Sequence, residues 1–132
     1  MASVSKPLHQ TILVVDDNEA IARIIERHLT AAGYSVLKAG DGEQALTTVA
    51  SRQPDCVLLD LMMPGMTGLE VLRQLKQAPA TALIPVILVT AKGEDIDVAQ
   101  GYREGAADYL TKPFSAVQIV DAVRKVLRLA NE

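Results

Sequence analysis

Apolar and polar positions fall into a repeating order along this chain: a short hydrophobic run, then a segment whose hydrophobic residues recur at helical spacing. Ile12 to Val15 is the first such run, and Asp16 and Asp17 follow it directly. Cys56 to Leu59 ends in Asp60, Ile84 to Val89 ends in Thr90, and Asp108 to Thr111 leads into Lys112. Uninterrupted apolar, β-branched runs predict strands covered on both faces of a parallel sheet. Tyr34 to Ala39 is a further strand with a weaker pattern, placed nearer an edge.

The intervening segments carry helix punctuation. Asn18 is placed to cap a helix with Ile21, Ile24, Ile25, His28, Leu29 and Ala32 inward, and Gly33 to end it. Asp41 and Gln44 resemble a capping box for a short helix with Ala45, Leu46, Val49 and Ala50 inward; Pro54 closes that connection. Thr67 and Glu70 cap a third helix carrying Leu69, Leu72 and Leu75, stopped at Pro79. Pro85 lies near the start of the strand Ile84 to Thr90, where a missing donor is tolerated. A helix around Asp95 to Glu104 has a thin apolar face of Ile96, Val98, Ala99 and Tyr102, which predicts loose packing, and Gly105 terminates it. Ser115 and Gln118 cap a last helix bearing Ala116, Ile119, Val120, Val123 and Leu127. Five strands alternating with five helices predict an α/β fold, a parallel sheet flanked on both faces and joined by right-handed crossovers. Residues 1–10 read as a disordered lead-in and 11–130 as one domain.

Composition narrows the possibilities. A chain of 132 residues suits one domain, and with only 3% aromatics its core is built from aliphatic side chains. The net charge of −3 argues against direct nucleic-acid binding or an anionic membrane surface as the domain's main task. The single cysteine, Cys56, sits inside an apolar run and reads as a small core hydrophobe. No stretch is long and apolar enough to span a bilayer, and Met1 to Gln10 lacks the apolar centre of a signal peptide, so a cytoplasmic location is expected.

In an open parallel sheet the ligand site lies beyond the carboxyl ends of the strands, near a topological switch point. That is where Asp16, Asp17, Asp60 and Thr90 fall. Neighbouring carboxylates raise one another's pKa unless a cation neutralises them. Hard oxygen donors, with no Cys or His close in sequence, suit Mg²⁺ better than Zn²⁺. A carboxylate beside such an ion can attack phosphorus, with a lysine neutralising charge on the transferred group. Each residue also has a plainer reading: Asp60 as a rim acid, Lys112 as a surface lysine, Thr90 as a strand-end β-former, Tyr109 as a half-buried aromatic with a wet hydroxyl.

Four motifs, VVDDN at Val14 to Asn18, LLDLMMPGMTG at Leu58 to Gly68, VTA at Val89 to Ala91 and GAADYLTKPF at Gly105 to Phe114, resemble the receiver domain of two-component response regulators. The resemblance spans Thr11 to about Leu129 and implies a flavodoxin-like sheet of strand order 2-1-3-4-5. It implies that Asp60 accepts a phosphoryl group from the phosphohistidine of a histidine kinase or histidine phosphotransfer protein. Asp17 would bind Mg²⁺ directly and Asp16 would help hold it, with Asp60 and the backbone carbonyl of Met62 completing the protein ligands. Lys112 would pair with the Asp60 carboxylate and then the phosphoryl group, its bond to Pro113 being cis. Thr90 and Tyr109 would be the switch residues, acting on the face of the fourth helix, fifth strand and fifth helix to control a downstream target or output domain. Met62 and Lys92 match positions that tune dephosphorylation, and apolar Met62 implies slow to intermediate loss of the phosphoryl group. Such a domain is not an enzyme beyond its own phosphoryl transfer and dephosphorylation, and phosphorylation-dependent dimers are among its implied outputs.

Other functions compete. An aspartate-nucleophile Mg²⁺ phosphatase of the haloacid-dehalogenase type needs a second Asp two positions after the first, where Met62 stands and cannot transfer a proton. A phosphohistidine carrier would need an exposed histidine on a helical bundle, whereas His28 lies on an inward stripe. A binding module independent of phosphorylation would have no need of the full set of acids, Thr90 and Lys112. Arg124, Lys125 and Arg128 on the last helix read as a solvated face that complements the helix dipole, or as a partner surface.

Overall fold

The computed structural model describes residues 9–91 and 98–130. Its strands are β1 (Thr11–Val15), β2 (Ser35–Ala39), β3 (Cys56–Asp60), β4 (Val86–Ala91) and β5 (Asp108–Lys112). Helices α1 (Glu19–Ala31), α2 (Gly42–Arg52), α3 (Gly68–Gln77), α4 (Val98–Arg103) and α5 (Ala116–Ala130) alternate with them. All strand pairs are parallel, in the order β2-β1-β3-β4-β5, so the expected α/β fold and its strand order are both observed. The chain reverses its direction of travel across the sheet between β1 and β3, and the switch point therefore lies between Asp16 and Asp60.

The sheet divides the apolar interior into two layers. On one face Ile12, Val14, Leu58, Ile87 and Val89 pack against α1 and α5; on the other Leu13, Val15, Val57, Leu59 and Leu88 pack with residues of α2 and α3. Every residue of β3 is buried, as its unbroken apolar pattern predicts. Edge strand β2 is half-exposed, and Lys38 on it pairs with Glu26 of α1 at 2.8 Å.

The helix caps form where the sequence places them. Asn18 accepts from Ile21 N, Asp41 from Gln44 N and Thr67 from Glu70 N. Ser115 and Gln118 bond reciprocally, at 2.8 and 3.1 Å. Gly33 follows α1 with a φ of +101°, the left-handed conformation that a helix terminus favours.

Several details differ from the periodic reading. Ile24 is half-exposed rather than inward, because α1 buries the narrower stripe of Ala22, Ile25 and Leu29. Ala50 likewise faces solvent, since α2 buries Ala45 and Val49. β4 starts at Val86, not Ile84: Pro85 stands outside it, and its carbonyl accepts from Val57 N at 3.0 Å. β5 extends to Lys112, so that lysine is the strand's last residue. Residues 1–8 of the expected lead-in, Lys92 and the start of the helix expected from Asp95 lie outside the described residues.

Two features fix the surroundings of α3 and α4. Lys76, in the last turn of α3, extends Nζ to the carbonyls of Ala82 and Ile84, both at 2.9 Å, and burial pulls its pKa down. Within α4, Gly101 is the one buried residue, and it lies against Leu88 of β4.

Candidate functional site

Strands β1, β3, β4 and β5 deliver Asp16, Asp60, Thr90 and Lys112 to the same end of the sheet. Asp16, just beyond β1, and Asp60, the last residue of β3, are 4% and 5% exposed, and Thr90 is buried beside them on β4. Asp17 is exposed. Carboxylate oxygens of Asp16, Asp17 and Asp60 all lie within 4.8 Å of one another, close enough to share one cation.

Hydrogen bonds orient the two buried acids. Met62 N–H donates to Asp60 Oδ1 at 3.0 Å, and Asn18 N–H donates to Asp16 Oδ1 at 2.9 Å. The other oxygen of each faces Lys112, whose Nζ lies 3.0 Å from Asp16 Oδ2 and 3.4 Å from Asp60 Oδ2. The shorter bond is therefore to Asp16, whereas the family resemblance implies Asp60 as the lysine's partner. The Lys112–Pro113 peptide is cis.

The electrostatics follow from this packing. Burial pushes the Asp60 carboxyl above its ordinary value; the Met62 N–H and Lys112 oppose that rise, and the Asp16 charge adds to it. Burial alone would lower the Lys112 ammonium, but its bond to Asp16 and the charges of Asp16 and Asp60 outweigh it, so its pKa rises and it stays charged. One ammonium thus faces two buried carboxylates with a third nearby, an excess of negative charge that a divalent cation would remove. The donors are oxygens, which fits Mg²⁺.

Gly68 is a site residue that periodicity does not reveal. Gly68 N donates to Leu61 O at 3.1 Å, and a Cβ on Gly68 would lie 2.7 Å from Leu61 Cα and run into Asp60 O. Only glycine lets the start of α3 rest on the backbone that carries Asp60. The available signal was a glycine in the first turn of a helix directly after its Thr cap. On the outer side of the site, a cleft of about 350 Å³ runs past Asp16 and Asp17 between Arg23, Lys38 and Gln44. Tyr109 is half-buried on β5 and packs on the α2–α3 layer. His28 is half-buried on α1, as its stripe predicts.

A doubly wound parallel sheet with three clustered acids and a lysine at its carboxyl-terminal rim defines an α/β domain whose acids lie close enough to share a cation. Comparison with known proteins makes the class specific: the sequence profile of the response regulator receiver domain matches residues 12–124, and this chain belongs to that family. It is thus a receiver domain of two-component signalling. The chain is 45% identical over 119 residues to the phosphate regulon transcriptional regulatory protein PhoB of Pseudomonas aeruginosa, covering 90% of this chain and 52% of that protein. It is 50% identical over 117 residues to the response regulator PleD of Caulobacter vibrioides, covering 89% of this chain and 26% of PleD. The Francisella response regulator 1452 receiver domain superposes with a TM-score of 0.82 at 30% identity, covering 91% of this chain and 98% of that one. The chain spans about half the length, or less, of these curated relatives. No helix among the described residues is long and apolar enough to cross a membrane.

Proposed function

We propose that Asp60 is the phosphoacceptor of this receiver domain, taking its phosphoryl group from a phosphohistidine on a histidine kinase or histidine phosphotransfer protein. The observation that carries this reading is the bridge from Lys112 to the two buried carboxylates of Asp16 and Asp60, at 3.0 and 3.4 Å. An Asp60 oxygen forms the new O–P bond while the P–N bond to the donor imidazole breaks, and the imidazole leaves with the electron pair. Asp16, Asp17, Asp60 and the Met62 carbonyl would hold Mg²⁺, which neutralises charge on the transferred group when bound.

The chain's own residues do the rest. The Met62 N–H fixes the Asp60 carboxylate in place, and the packing beneath it excludes water. Lys112, released from part of its pairing with Asp60, turns to a phosphoryl oxygen. The Thr90 hydroxyl donates to another, and Tyr109 follows it inward, which shifts the equilibrium of the α4–β5–α5 face. That face then controls a downstream protein or an output domain, with dimerisation as one route, in the cytoplasm. Lys92 joins Met62 in setting the lifetime of the phosphoryl group.

Incubation with acetyl phosphate and Mg²⁺, followed by intact mass, tests the reading. A gain of one phosphoryl group is expected in the wild type and none in Asp60→Asn. An unmodified wild type would leave a binding module that works without phosphorylation.

A further inference from the structure

We propose that Met62 is a site of peroxide oxidation, and that its sulfoxide shortens the lifetime of the phosphoryl group on Asp60; the second half rests on the phosphoacceptor reading above. The three described methionines have different surroundings. Met62 is 60% exposed, Met63 is buried in the α2–α3 layer, and Met66 is half-buried with its sulfur near Gln74 Nε2, at 3.9 Å. Among the described methionines, the Met62 thioether is therefore the one open to a hydroperoxide. Cys56 does not compete, because it is fully buried and its thiol is pushed up to about 12, which leaves no thiolate.

The step is balanced. The sulfur donates an electron pair to the distal oxygen of the hydroperoxide, an S–O bond forms, the O–O bond breaks, and water or an alcohol leaves. The sulfur is oxidised and the peroxide reduced.

Position gives that oxygen a consequence. Met62 N–H bonds to Asp60 Oδ1 at 3.0 Å, so the Met62 side chain springs from the backbone that touches the acceptor carboxylate. Lys112 faces the other carboxylate oxygen, and Asp60 as a whole is 5% exposed. Water that hydrolyses a phosphoryl group there arrives from the solvent side, and because Leu61 is buried, Met62 is the first exposed side chain after Asp60 along the chain. A thioether is a weak acceptor and orients that water poorly; a sulfoxide oxygen is a strong one. One added hydrogen bond to the attacking water predicts hydrolysis faster by roughly fivefold.

The experiment oxidises the full chain with limiting hydrogen peroxide, locates the added oxygen by fragmenting the peptide that holds Met62, Met63 and Met66, and then follows loss of label after acetyl phosphate is removed. The expected result is oxygen first at Met62, label lost about fivefold faster, and recovery after methionine sulfoxide reductase treatment. Met62→Leu, compared with itself before and after peroxide, should show no change, and Met62→Gln should lose label faster than Met62→Leu without peroxide. Oxygen appearing first at Met63 or Met66 overturns the site. A Met62 sulfoxide with an unchanged label lifetime overturns the regulation while leaving the phosphoacceptor reading standing. Absence of label in the untreated protein instead defeats that reading, and the lifetime claim with it, whereas peptide mapping still decides where oxygen enters.

Discussion

Gly68→Ala is the substitution whose effect the geometry defines best. Its Cβ would lie 2.7 Å from Leu61 Cα and 3.0 Å from the Asp60 carbonyl carbon, where ordinary carbon contacts are about 3.5–4.0 Å. Both neighbours are backbone atoms of a strand end buried on every side, so the start of α3 has to retreat by roughly 1 Å. That stretches the 3.1 Å bond from Gly68 N to Leu61 O beyond useful length. Overpacking costs about 1–3 kcal/mol and the lost bond about 1, while the better helix propensity of alanine returns at most about 1. A net loss of about 1–3 kcal/mol is expected, near 4 °C in melting midpoint for each kcal/mol at this chain length. Urea titration should show a lower midpoint with an unchanged slope. Because the retreat acts on Asp60, the proposed acceptor, labelling by acetyl phosphate should slow by tenfold or more on the order-of-magnitude cost of small misplacements. Gly33→Ala is the comparison, since Gly33 has a φ of +101° but open space around it and lies far from Asp60 along the chain. It should lose about 1–2 kcal/mol through backbone conformation and label at the wild-type rate. A Gly68→Ala protein as stable and as quickly labelled as the wild type would refute the close-approach reasoning.

Asp60→Asn should stabilise the metal-free protein at neutral pH. Its folded pKa is raised chiefly by burial, so the ionised carboxylate penalises folding above that pKa and not below the unfolded value of about 3.9. The gain over wild type, measured by urea titration in EDTA, should therefore vanish in acid, and a gain that persists there would contradict the linkage. Lys112→Met should slow acetyl phosphate labelling about a hundredfold or more, yet enlarge the rise in melting temperature that Mg²⁺ produces, since the ammonium no longer competes for Asp16 and Asp60. A smaller Mg²⁺ response in the variant would mean that the lysine does not compete with the ion.

What could be read in advance depended on how local its cause was. The four caps at Asn18, Asp41, Thr67 and Ser115 were legible because each involves residues three apart. The buried strand β3 was legible from an unbroken apolar run, and the acids at the strand ends from the residues that follow such runs. Ile24 was misread because helical spacing marks a broad face, whereas the partners of α1, chiefly α5 and β2, cover only part of it. The choice of Asp16 as the nearer partner of Lys112 was hidden for another reason: it depends on a lysine from β5 reaching across the sheet to the end of β1. The contact of Gly68 with the Asp60 backbone was equally hidden, being a distance between a loop-linked helix and a strand end.

The way α4 meets the sheet has a mechanical meaning. A helix that inserts large side chains between its neighbours resists sideways motion, because ridges must climb out of grooves. Over its described turns α4 presents Gly101 to Leu88, a smooth bearing with no ridge to climb, while Tyr102 stays largely outside. Of its described residues only Gly101 is buried, so displacing them uncovers little apolar surface and takes little force. A single new bond at the rim beside Thr90 could supply it. The rest of the sheet, wedged on both faces by leucine and isoleucine, would stay still and act as the anvil.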